Sequence, residues 1–353
     1  MNGMSVTRKY MDRNKKEIYI ELLRIIAIIF VLMVHTDMNA GFYQDPSSSV
    51  FTMLISLFVS TICNSAVPLF LMISGVTLLG REESIKDLFF KRIIRILIVI
   101  PLFSMVQYIA MILMKGEMSF DLQYYFERLI EGNMTEQYWY LYAYLAFLIS
   151  LPILRPLAMN MSEQGYKYMM VVAIAWNYIP KVLKVLTVFN TSQSIDFFFD
   201  GQLILYPLIG YYLGRKKSVE KLSKSGLYIV VLVTVIAFNM LFELLVHHIS
   251  GEWGLYNLSV MPITILIFIL GRRLGTCITG DKVYRIVAYL GSLSFGIYLV
   301  ELIARRIWLP VYLRLCDATL GVVACCIYIA LSYITGAFIA AVMKIIPGLK
   351  KLV

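Results

Sequence analysis

Charge is scarce in this chain. Only 15% of its 353 residues are Asp, Glu, Lys or Arg, 60% are hydrophobic, and the mean hydropathy is +0.77. Soluble domains carry roughly a quarter charged residues and about half apolar ones, so this composition excludes a water-soluble globular protein and indicates a polytopic membrane protein. Cysteines are few and unpatterned. Cys63, Cys277, Cys316, Cys325 and Cys326 lie in or beside apolar runs without disulfide or zinc spacing, and they read as small buried hydrophobes. No metal site is expected. No internal repeat, long linker or outer loop large enough to fold alone interrupts the chain. Any chemistry must therefore be built from helices and their short connections. The first apolar run follows Arg8, Lys9, Arg13, Lys15 and Lys16, as in a signal peptide, but it lacks an A-x-A-like exit and reads as a retained helix.

What the chain does have is apolar runs of membrane length. They cover residues 18–38, 50–80, 93–114, 137–157, 166–186, 197–214, 225–247, 255–274, 283–309 and 318–346. Each approaches or exceeds the ~20 residues needed to cross the hydrocarbon core. The expected fold is an all-α polytopic bundle of about ten transmembrane helices. The second run is long enough to contain a break, expected at Pro68, where the missing N–H and the ring disturb a helix. The net charge of +10 follows topology rather than a nucleic-acid partner. With the N-terminus placed in the cytoplasm, most of the 32 basic residues fall on inner segments, and outer ones hold only Lys115, Arg128, Lys181, Lys184, Arg305, Arg306 and Arg314. The outer loop 115–136 is rich in acid, with Glu117, Asp121, Glu127, Glu131 and Glu136. The positive-inside rule then puts both termini in the cytoplasm. This divides the chain into a basic cytoplasmic segment 1–17, a membrane domain 18–347 and a cytoplasmic tail 348–353.

Within the first span, Arg24 and His35 stand out. At ~100° per residue they share one helical face, roughly 16 Å apart along the axis. An arginine in an apolar span costs ~2.5–3.5 kcal/mol to insert, so it needs a partner or a wet cavity. Glu21, three residues before Arg24, is a ready partner at the inner rim. His35, followed by Asp37, is suited to general-base chemistry near neutral pH; the alternative is an interfacial histidine bonded to nearby backbone.

Farther on, Asn64-Ser65-Ala66-Val67-Pro68-Leu69-Phe70-Leu71-Met72-Ile73-Ser74-Gly75 is either a small-residue packing seam or a kinked helix lining a cavity. Lys91, Arg92 and Arg95 open the third span, with Arg92 and Arg95 on one expected face. They are either a cytoplasmic anchor or a set of ligands for a phosphate-bearing molecule. Glu243 is an intramembrane carboxylate, while the adjacent His247 and His248 point about 100° apart and read as surface residues.

Taken in order, Arg24-x10-His35, Val67–Gly75, Arg92-x-x-Arg95, Trp139-Tyr140-Leu141-Tyr142, Leu208–Gly214 and Ser294–Leu299 resemble the acyltransferase-3 family of integral membrane acyltransferases. The resemblance covers nearly the whole chain. It implies transfer of an acyl group, most often acetyl, from cytoplasmic acyl-CoA to a hydroxyl on a cell-surface carbohydrate or other cell-envelope acceptor. It also implies a multi-pass protein of a bacterial cytoplasmic membrane, with no metal and no nucleic-acid partner. Carried onto this chain, His35 is the base, Arg24 its motif partner, and Arg92 and Arg95, with Lys91, ligands of the CoA phosphates. The family often has histidine after its Ile-Tyr-Leu-x signature; here Glu301 stands there, able to orient an imidazole or accept a proton. Asn64, Ser65, Tyr140 and Tyr298 are candidate oxyanion donors, and Ser74 and Trp139 are further substrate-contact candidates. A different class of function is also open: a secondary transporter or flippase using Glu21, Arg24, Glu243 and Glu301. Against it, no paired short, Gly/Pro-interrupted segments recur in two halves.

Overall fold

The computed structural model describes residues 3–115, 120–132, 134–186, 202–215, 226–251, 253 and 259–353. The basic side chains Arg8 through Lys16, Lys115, Lys181, Lys184, Lys216, Lys217, Lys221 and Lys224, with acidic Glu117 and Glu136, lie outside the described set. So do residues 197–201 and 255–258 of the sixth and eighth expected spans.

Every regular element among the described residues is helical. In chain order these are α1 (Gly3–Val34), α2 (Gly41–Gln44), α3 (Val50–Cys63), α4 (Ala66–Leu78), α5 (Ile85–Leu88), a π turn (Phe89–Ile93), α6 (Ile94–Lys115), α7 (Leu122–Ile130), α8 (Trp139–Asn160), α9 (Glu163–Leu186) and α10 (Gln202–Arg215). They continue with α11 (Leu227–Ser250), α12 (Val260–Cys277), α13 (Asp281–Ala318) and α14 (Gly321–Ile345). Among the described residues, 7 stretches are long and apolar enough to cross a membrane: Val50–Leu78, Ile85–Met114, Trp139–Asn160, Leu227–Ser250, Val260–Cys277, Asp281–Ala318 and Gly321–Ile345. Helices α1, α9 and α10 occupy the other expected spans and are not among those 7.

Helix α1 is the axis of the bundle, packed against α3, α4, α12, α13 and α14. Its buried residues Ile20, Leu23, Ala27 and Val31, with Ile28 and Leu32, recur at the three- and four-residue spacing of a packed helical face. By contrast, α6 turns Leu97, Ile98, Leu102, Val106, Ile109 and Leu113 outward, and α11 does the same with Val230, Val233, Leu241 and Leu245. Such apolar faces suit lipid rather than water.

Two expectations about local geometry are corrected. The break in the second span falls at Asn64–Ser65, not at Pro68. Pro68 instead sits in the first turn of α4, where a helix needs no internal N–H donor and a proline costs little. Helix α1 ends at Val34, so His35 lies just past it in a turn rather than on a continuous face with Arg24. The third span starts with the π turn, which contains Lys91 and Arg92 but not Arg95.

Close approach between helices depends on glycine. A Cβ on Gly75 would lie 1.9 Å from the Pro207 carbonyl oxygen, and one on Gly210 would lie 2.2 Å from that of Met72. The α4 and α10 backbones therefore touch across both positions, as small residues allow in membrane bundles. Gly210→Val should lower the yield of folded protein and its melting temperature in detergent, because neither backbone can move aside and overpacking costs about 1–3 kcal/mol or more. Gly280→Ala, where an added Cβ meets nothing within 4 Å, should leave both unchanged.

Candidate active site

Just beyond the end of α1, His35 Nδ1 lies 3.0 Å from Glu301 Oε1 of α13. Glu301 is 1% exposed, whereas the His35 side chain is 23% exposed. Arg305, one turn along α13, pairs through Nε with the same carboxylate oxygen. Its Nη1 also donates to the His35 carbonyl at 2.8 Å. A buried carboxylate is acceptor-only when ionised, so it takes Nδ1–H and leaves Nε2 free to accept a proton.

The turn that holds His35 is fastened throughout. The last carbonyls of a helix lack intrahelical donors. Here Met33 O accepts from Thr36 Oγ1 at 2.8 Å and Val34 O from Asn39 Nδ2 at 3.1 Å. Ser56 Oγ of α3 donates to Met38 O at 3.1 Å, and the Tyr312 hydroxyl of α13 donates to Asp37. Ala40 takes φ 90°, an uncommon left-handed value for a residue with a Cβ. These bonds order the backbone around the imidazole.

A cavity of about 300 Å³ occupies the bundle between α1, α4, α6, α8 and α13. Its polar lining includes Arg24, Ser74, Thr77, Arg95, Tyr140, Tyr144, Ser294 and Tyr298. Arg24 enters it paired with Glu21 Oε1 at 2.6 Å. The Arg95 guanidinium lies 5.4 Å from the centre of the Phe295 ring. It also donates to Leu352 O, from Nε at 3.2 Å and Nη2 at 3.0 Å, and Val353 joins the lining. His35 is not part of this lining. Tyr298, which is, stands one turn before Glu301 on α13.

The family model of an acyltransferase domain matches residues 17–341. The chain belongs to the acyltransferase-3 family. It is thus an acyltransferase, and its apolar helices fit a multi-pass membrane protein. No curated protein and no solved structure matches the chain significantly.

In this acyltransferase the sequence candidates separate into groups. Arg24, Arg95, Ser74, Tyr140 and Tyr298 meet at the cavity, and His35 meets Glu301 beyond it. The Ser74-Gly75 pair divides its two readings: Ser74 lines the cavity, and Gly75 packs on α10. The Tyr298 hydroxyl is already given to Gln137 O, and Asn64 Nδ2 to Ser60 O at 2.7 Å. Ser65 is buried at the α3–α4 break, outside the cavity lining. Trp139 is 51% exposed on the bundle surface, as in an aromatic belt. Lys91 is 68% exposed and pairs with Asp87 at 2.8 Å. Glu243 is buried in α11 away from the cavity lining, and His247 stacks on Trp253 with ring centres 4.0 Å apart. Among the described residues no group of His, Cys, Asp or Glu forms a metal site.

Sequence reasoning missed Arg305, which it counted among the outer-loop charges. The signal was present, because Arg305 follows Glu301 by one helical turn. It also missed Glu83 and Arg155. Arg92 Nε meets both Glu83 carboxylate oxygens at 3.0 Å, and Arg155 Nη2 meets Oε2 at 2.8 Å. Arg155 further donates to Leu78 O at 3.1 Å, fixing the end of α4. Burial alone would raise the Glu83 carboxyl, but the two arginines outweigh it and hold it below the usual range. A depressed carboxyl contributes stability above its unfolded value of about 4.3, and the contribution is lost as pH falls through the lower folded value. Melting temperature should therefore fall as pH drops below about 4. Glu83→Gln should flatten that acid limb and cost about 1–3 kcal/mol at pH 7, a figure discounted for the partial exposure of Arg92.

Proposed function

We propose that this protein is a membrane O-acyltransferase that moves an acyl group, acetyl in its simplest form, from cytoplasmic acyl-CoA to a hydroxyl of a cell-envelope carbohydrate. His35 is the general base. The observation that supports this most directly is the 3.0 Å contact from Glu301 to His35 Nδ1, which leaves Nε2 for the acceptor. In this reading ten spans cross a bacterial cytoplasmic membrane with both termini inside, so α1 runs outward from Arg24 to His35.

The cavity suits the arm of the donor. Its volume, about 300 Å³, is at the small end of ligand pockets and accommodates a narrow chain rather than a nucleotide. The nucleotide of CoA would stay at the cytoplasmic mouth, with Arg95 and Arg24 meeting its anionic groups. Arg95 would exchange the Leu352 carbonyl for a phosphate, a stronger, charge-assisted partner. Arg92, already held by Glu83, supports the loop rather than the donor. The pantetheine arm then passes Ser74, Tyr140 and Tyr298 toward His35.

In the transfer step, His35 Nε2 takes the proton of the acceptor hydroxyl as its oxygen attacks the thioester carbonyl. Tyr140, lining the cavity, donates to the oxyanion. Collapse breaks the C–S bond, and the leaving CoA thiolate takes the proton back from the imidazolium. The ester and the free thiol are the products.

The test is transfer of labelled acetyl from acetyl-CoA to envelope polysaccharide in membranes containing this chain. His35→Ala should lower kcat/KM by about 10²–10⁴-fold. Full activity in that variant, correctly folded, would sink the mechanism. Arg95→Glu should raise the donor KM by about tenfold or more with a smaller change in kcat, and an unchanged KM would remove Arg95 from the donor site.

A further inference from the structure

We propose that Arg305 is the positioning residue of the His35–Glu301 pair, one guanidinium that holds the carboxylate by its charge and the histidine by its backbone. The inference rests on the reading of His35 as the base.

An arginine near the end of a membrane span ordinarily extends its head group to the lipid surface. Arg305 does not. Its side chain is 14% exposed and turned toward Glu301, whose Oε1 it shares with His35 Nδ1. A second nitrogen, Nη1, reaches across to the turn after α1 and donates to His35 O at 2.8 Å. The Arg305 carbonyl in turn accepts from the Tyr328 hydroxyl of α14 at 3.0 Å. Tyr328 stacks on Tyr312 with ring centres 4.7 Å apart, and Tyr312 holds Asp37. The turn that carries the base is thus tied to α13 at Asp37 and, through Arg305, at His35, and Tyr328 of α14 backs both ties.

Two physical effects follow. The first is electrostatic. A carboxylate as buried as Glu301 is costly unless paired. The titratable groups that face it are His35 from the turn after α1, Tyr298 and Arg305 from α13, Tyr138 from the turn before α8, and Tyr328 from α14. Arg305 supplies the standing positive charge that keeps Glu301 an acceptor for Nδ1–H. The second effect is geometric. A guanidinium presents its donors in a rigid fork, which fits two acceptors at fixed separation, and an ammonium does not reproduce that. A base displaced by about 1 Å can cost about 10²-fold in rate.

The experiment is a double-mutant cycle in the full chain, in membranes, reading kcat and donor KM for acetyl transfer beside the melting temperature. Arg305→Met should lower kcat by about 10²-fold with donor KM held within about twofold. Arg305→Lys should recover about tenfold of that loss, because lysine can meet Glu301 without also holding the His35 carbonyl. In a Glu301→Gln background, Arg305→Met should cost no more than about threefold, since its effect runs through that carboxylate. If the methionine variant does not accumulate folded, Arg305→Gln replaces it in the same cycle. Wild-type kcat in the Arg305 variants, or losses that multiply independently of Glu301, would overturn the inference. Full activity in His35→Ala would instead overturn the base assignment beneath it, so the two failures are distinguishable.

Discussion

A charge inside an apolar bundle must be paired, and most of what is specific about this protein follows from how the pairing is done. Glu301 is matched by His35 and Arg305, Glu83 by Arg92 and Arg155, and Glu21 by Arg24. The first two groups join elements that hydrophobic packing alone would leave free to slide, whereas the third lies within α1. The lipid tails around the bundle are as apolar as its core, so apolar burial gives little register between spans. Polar pairs and close backbone contacts supply it instead.

The two acid–arginine clusters stand at opposite ends of the bundle and perform different tasks. The Glu83 cluster fastens the loop after α4 to the π turn and to α8, and it diverts Arg92 from the cavity. Arg95, beyond the π turn, remains available to the cavity, where the chain's own tail carbonyl now engages it. The Glu301 cluster holds a partly exposed imidazole on an ordered turn. Between the two lies a narrow cavity walled by tyrosines and small residues, with Arg24 and Arg95 in its lining.

Much of this was legible in the chain. Apolar runs of membrane length marked the helices, since hydropathy and helical rise are local properties. The Glu21–Arg24 pair was legible because its members are one turn apart. The ordered motifs pointed to the acyltransferase-3 family, which the match over residues 17–341 establishes. The end of α1 was less legible. The apolar run continues past Val34, and only the turn bonded through Thr36, Asn39 and Arg305 shows where the helix stops. Trp139 entered the candidate set with the Trp139–Tyr142 motif; adjacent residues on a helix point about 100° apart, so Tyr140 lines the cavity while Trp139 is exposed.

The sequence by itself therefore determined what each segment is: helical, polar at particular turns and, in 7 stretches among the described residues, apolar enough for a membrane. Periodicity, hydropathy and near-neighbour charge need only a few consecutive residues to be read. Tertiary structure decided which polar groups meet. His35 and Glu301 are 266 positions apart, and nothing in the spacing of either pairs them. Their contact depends on how α1 packs against α13, where Gly291 admits the Glu21 backbone and side chain too closely for any larger residue. The same holds for Glu83 and Arg155, which are 72 positions apart and meet only because α8 packs beside the loop after α4.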